Sequence, residues 1–116
     1  MRIPAWLRLA APVPKFELED GTELRLLSAM EVLEARREAA ELAEEDRERA
    51  LCSNACLLAR AVHRKGVPVY ASGREVLEKL TVSQIQALAA RWAEFDRQEN
   101  PGPTAGREAV EQIKKA

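Results

Sequence analysis

From Phe16 onward, apolar and charged positions alternate. Phe16 and Leu18 are followed by the turn pair Asp20-Gly21, and the alternation resumes at Leu24 and Leu26. A period of two on both sides of a turn pair predicts a β-hairpin. One hairpin is marginal in water, so its apolar face is expected to lie on the helices that follow. Ser28 with Glu31 three residues on is a capping-box pattern, and no Gly or Pro occurs between Ala29 and Lys65, which predicts a long helical region. The acidic run Glu44, Glu45, Asp46 interrupts its periodicity, so two helices that turn back on each other are expected there. Val32, Ala35, Ala39 and Leu42 share a face of the first, with mixed charges on the opposite side. Leu51, Ala55, Leu58 and Val62 form the stripe of the second, which Gly66 is expected to cap before Pro68 prevents continuation.

Val69 and Tyr70 then form an extended link. Ser72 with Glu75 opens a brief helix through Lys79, and Thr81 with Gln84 is a further capping box. It leads into the strongest helical pattern of the chain, where Ile85, Leu88, Trp92 and Phe95 fall on one stripe before Asn100, Pro101 and Gly102 end it. These four residues are the expected core anchors. The reading is a mainly α fold, a compact helical domain of about four helices with a short N-terminal β-hairpin. It divides as a basic, proline-broken segment 1–15, a domain 16–102 and a C-terminal tail 103–116, the tail holding only a weak pattern around Val110 and Ile113.

Composition narrows the partners. At 116 residues the chain fits one modest core, and 32% charged, 47% hydrophobic and 4% aromatic residues suit a charged helical protein. A net charge of -1 supplies no basic field for nucleic acid or an acidic membrane surface, so neither is expected as a partner. In the first sixteen residues Arg2, Arg8 and Lys15 are unopposed until Glu17, with Ile3, Trp6, Leu7, Leu9 and Val13 among them. Pro4, Pro12 and Pro14 break this stretch well short of a secretory or membrane-spanning segment, so neither export nor a span is expected. Trp6, Leu7 and Leu9 are the candidate partner contacts, docking onto the chain's own core being the alternative.

Cys52, Cys56 and His63 are the one tempting chemical constellation, pointing within about 40° of one another if all three share a helix. Residues seven apart are nevertheless separated by ~10 Å along the axis, too far for one zinc ion, and no further Cys or His exists to complete a ligand set. The cysteines are therefore expected as small core residues in a reducing compartment. The same separation weakens a Cys-His nucleophile pair, the glycines match no phosphate-binding loop, and Glu44, Glu45 and Asp46 are expected as a solvated face. No catalytic residue, cofactor or metal is expected.

Four stretches in order are similar to the tail assembly chaperones of long-tailed bacteriophages: FELEDGTELRLL (16–27), SAMEVLEARREAA (28–40), LCSNACLLARAV (51–62) and LTVSQIQALAARWAEFDRQENPG (80–102). The resemblance covers residues 16–102 and rests on segment order rather than on a catalytic signature. It implies a non-enzymatic factor of the host bacterial cytoplasm, not part of the mature virion. Such a factor binds the tape-measure protein and helps recruit major tail protein, with self-association possible. The alternatives are a structural head or tail completion protein, and a small helical phage adaptor or transcriptional regulator.

Overall fold

The computed structural model describes residues 14–100. Strands β1 (Lys15–Glu17) and β2 (Glu23–Arg25) form the expected hairpin, with Phe16 opposite Leu24. Its turn closes because Leu18 N–H donates to the Thr22 carbonyl at 2.8 Å, Asp20 Oδ1 accepts from Thr22 N–H at 3.0 Å, and Gly21 takes φ +88°. A left-handed φ is open to glycine at little cost.

Helix α1 (Ala29–Leu42) begins at the predicted box: Glu31 N–H donates to Ser28 Oγ at 3.1 Å, and Ser28 N–H to Glu31 Oε1 at 3.0 Å. It ends where Ala43 turns extended. Behind it, a 3₁₀ turn (Asp46–Glu48) feeds helix α2 (Arg49–Ala61). The acidic run does break the region, and Glu48 Oε1 accepts Glu44 N–H at 2.9 Å across the break. The two helices pack through small side chains, Ala35 and Ala39 against Cys52 and Cys56, all buried.

The second helix stops earlier than its pattern suggests. Val62 is extended, and β3 (Val62–Arg64) adds to the hairpin, Leu24 pairing with Val62 and Glu23 with His63. Lys65 (φ +51°) and Gly66 (φ +81°) then turn the chain into β4 (Val67–Pro68). The sheet therefore has four antiparallel strands in the order β1-β2-β3-β4, and Gly66 serves a strand-to-strand turn rather than a helix cap. The demand for a left-handed residue was legible; the element using it was not. β-Branched Val62 completes the sheet where a helical turn would leave β2 without a second neighbour. Pro68 sits on the edge strand, where a proline is tolerated.

Helix α3 (Gly73–Lys79) starts at Ser72, whose Oγ accepts Glu75 N–H at 3.3 Å, and α4 (Val82–Glu99) at the reciprocal Thr81–Gln84 box. α2 is the central element, contacting α1, α3 and α4. The core joins the sheet to α2, α3 and α4 through Leu24, Leu58, Val62, Val76, Ile85, Trp92 and Phe95. Each fully buried Leu or Ile stabilises by about 1.5–3 kcal/mol against its exposed state. Trp92 also fixes the hairpin, its Nε1–H donating to the Arg25 carbonyl at 2.8 Å. The hairpin's apolar face thus lies on helix, as expected. No helix among the described residues is long and apolar enough to cross a membrane.

Candidate functional site

Where the hairpin turn meets α4, the elements leave an open groove of about 270 Å³. Its apolar lining is Leu18 from the hairpin, Val62 from β3, Tyr70 from the link, and Leu80, Ala87 and Leu88 at or on α4. Asp20, Thr22, Gln84 and Arg91 supply the polar positions. The lining draws on the hairpin, β3, the link after β4 and the last helix, with Val62 and Leu88 belonging to or packed against the main core. Leu88, an expected core anchor, is only half-buried here, whereas Ile85, Trp92 and Phe95 are buried.

Charge at the lip is unevenly matched. Arg91 clasps Glu19 with both terminal nitrogens, at 2.6 and 3.0 Å, and its guanidinium lies 5.9 Å from the Phe16 ring centre. Phe16 in turn meets Phe95 at 5.9 Å. The Arg91 hydrogen bonds hold Glu19 down at a pKa of about 2 and raise the pKa of Arg91. Asp20 is held low chiefly by the Thr22 hydroxyl and amide, with a weaker contribution from Arg64. No side-chain ion pair to the Asp20 carboxylate occurs among the described residues, so it places a negative charge beside the apolar floor. Tyr70 is pushed up, first by burial and then by Asp20.

A second cluster, away from the groove, is polar and closed. Glu38 on α1 accepts Arg60 Nη1 at 2.7 Å and the Gly73 amide at 2.8 Å, tying α1, α2 and α3 together. Burial pushes its carboxyl up, but the Arg60 and Gly73 bonds outweigh that and leave it below the ordinary value. Cys56, beneath this node, is pushed up to about 12 by burial and then by the Glu38 charge, and burial also raises Cys52. Both thiols are protonated at neutral pH, whereas nucleophilic or metal-binding sulfur is thiolate.

His63 does not share the cysteines' helix, because α2 has ended; the common helical projection fails for that reason. It lies buried on β3, with Nε2 2.9 Å from the Arg60 carbonyl and Nδ1 3.5 Å from Arg25 Nη1. A proton on Nε2 satisfies both contacts, since the carbonyl accepts and the guanidinium donates. No group of three His, Cys, Asp or Glu positioned for a metal ion occurs among the described residues. Glu44, Glu45 and Asp46 are exposed, with Arg47 on Glu45 and Arg49 near Asp46.

Trp6, Leu7 and Leu9 lie outside the described residues, as do the segment 1–13 that holds them and the tail 103–116. The groove itself was not legible beforehand: Leu18, Tyr70, Leu80 and Leu88 carry no shared motif and come from separate parts of the chain. No protein-family model, curated protein or solved structure matches the chain.

Proposed function

We propose that this chain is a non-enzymatic protein-binding factor, and specifically a tail assembly chaperone of a long-tailed bacteriophage that works in the host cytoplasm and does not remain in the virion. Its clients on this reading are the tape-measure protein, which it keeps soluble, and the major tail protein subunits recruited around it. The observation that carries the reading is the order of the sequence segments from Phe16 to Gly102, and a mainly helical body with a small sheet is in keeping with it. The open apolar groove beside an acidic hairpin turn is in keeping with a protein partner, because apolar contact at a partly charged rim is how protein surfaces hold segments of other proteins. Trp6, Leu7 and Leu9 are the proposed first contacts with the client.

Co-expression tests the assignment. The tape-measure protein should become soluble only with this chain, and Trp6→Ala should weaken the complex while shifting the chain's own melting temperature by only a few degrees, as a surface change of about ±0.5 kcal/mol does. A tape-measure protein that stays insoluble, with no complex recovered, overturns the proposal. Detection of the chain in purified virions by mass spectrometry would instead identify a structural completion protein.

A further inference from the structure

The sheet ends on two unlike edges. β4 is two residues long and carries Pro68, which has no N–H to donate to a further strand, so that edge is blunted. β1 contains no proline; Lys15, Phe16 and Glu17 are all exposed, and no strand lies on its outer side among the described residues. Which backbone groups face outward follows from the hairpin. Leu18 N–H donates to the Thr22 carbonyl at 2.8 Å, and in an antiparallel ladder hydrogen-bonded and non-hydrogen-bonded pairs alternate. Phe16 with Leu24 is therefore a hydrogen-bonded pair, whereas Lys15 and Glu17, opposite Arg25 and Glu23, turn their N–H and C=O groups to the open edge.

The charges on this edge are self-complementary in one register. When two copies of β1 run antiparallel about a two-fold axis at Phe16, Lys15 of each lies opposite Glu17 of the other, and each such pair can exchange both backbone hydrogen bonds. Shifting the pairing by two residues either way, the step that keeps outward groups facing one another, sets Lys15 against Lys15 or Glu17 against Glu17, which is unfavourable. Glu17 gains most from the first register. It faces Glu23 across the hairpin, and Lys15 of its own chain bonds Glu23, at 3.2 Å; no ion pair to Glu17 occurs among the described residues. Phe16, still 36% exposed beside Phe95, then meets its copy at the close Cα spacing of about 4.5 Å of a non-hydrogen-bonded pair, where aromatic pairs stabilise a sheet.

We infer that β1 is a homodimerisation edge, pairing antiparallel with β1 of a second copy about a two-fold axis at Phe16, so that the two four-stranded sheets become one continuous sheet. The same patch serves both copies, as a two-fold requires. A contact of two three-residue strands and one aromatic pair is smaller than the interface of a permanent dimer, so association is reversible and rises with concentration. The inference goes beyond the proposed function and does not rest on it.

Charge reversal tests the register. Sedimentation of the full chain should show a monomer–dimer equilibrium. Lys15→Glu or Glu17→Lys alone should weaken it by on the order of tenfold, because each replaces two attractive cross-strand pairs by two repulsive ones. An equimolar mixture of the two variants should recover association, since every pair between unlike copies is then opposite in charge. Circular dichroism reports whether each variant is folded; if Lys15→Glu, which adds a carboxylate beside Glu17 and Glu23, does not fold, the double variant Lys15→Glu/Glu17→Lys restores a cation beside Glu23 and must associate as the parent does. In a mixture of isotope-labelled and unlabelled parent, an intermolecular nuclear Overhauser effect should join the α-protons of Phe16 in the two copies. A chain that stays monomeric up to its solubility limit overturns the proposal. So does association that the charge reversals leave unchanged, that the mixture or the double variant fails to recover, or that forms without the contact between the two Phe16 residues.

Discussion

Glu38 and Gly73 are the residues whose roles depend most on single atoms. Glu38 holds three helices through the Arg60 guanidinium and the Gly73 amide, so Glu38→Ala should destabilise the domain by about 1–3 kcal/mol, the cost of leaving partly buried donors unpaired. Chemical denaturation at neutral pH checks this. The pH dependence follows from the lowered carboxyl pKa: the stabilisation is complete above the unfolded value near pH 4.5 and fades as pH falls through the lower folded value. Glu38→Gln should therefore be less stable than the parent at pH 7, and the gap should narrow on acidification below that point. A gap that stays constant to pH 2 would show that the carboxylate charge contributes nothing. Gly73 is required for another reason. A β-carbon there would sit 2.3 Å from Cys56 Sγ and 3.0 Å from Cys56 Cα. Gly73→Ala should cost about 1–3 kcal/mol through overpacking. Adding Cys56→Ala should recover part of that loss, because it removes the nearest atom and leaves the backbone contact. Equal stability of the single and double variants relative to their own parents would sink the steric account.

Among the elements, the β3–β4 hairpin as a whole, strand and turn, is the one whose identity the sequence misstates. Gly66 has φ +81° and open space around its Cβ position, so the cost of replacing it is conformational rather than steric. Gly66→Ala should lose about 1–2 kcal/mol, the penalty for an L-residue in the left-handed region, which for a domain of this size is several degrees of melting temperature. Gly66→Asn should lose less, since Asn tolerates that region and suits two-residue hairpins. Thermal melts of the two variants decide it, and identical losses would argue against a left-handed turn. By contrast, the starts of α1, α3 and α4 are where the capping residues Ser28, Ser72 and Thr81 place them. Each is fixed by hydrogen bonds between residues three apart, which no later part of the chain has to supply.

For the molecule as a whole, stability should be insensitive to chelator and to reductant, since both cysteines are free and buried with protonated thiols. Circular dichroism melts with each reagent test that, and loss of the folded signal would return Cys52, Cys56 and His63 to consideration. A net charge of -1 leaves few phosphates to be neutralised, so duplex DNA should not bind at physiological salt. Submicromolar binding under that condition would move the adaptor reading ahead of the chaperone.

The local sequence determined three capping motifs, the hairpin turn at Asp20-Gly21, the break at the acidic run Glu44, Glu45, Asp46, and the burial of Ile85, Trp92 and Phe95, because each follows from neighbours within a turn or from apolar spacing along one helix. Tertiary structure decided what Val62 and His63 became. Their helical pattern competed with pairing to Leu24 and Glu23, partners some forty residues earlier, and the sheet prevailed because it satisfies the backbone of β2 along both edges. The same choice moved His63 off the cysteine helix. The groove and the Glu38 node therefore depend on contacts between residues distant in sequence, which periodicity along one element does not specify.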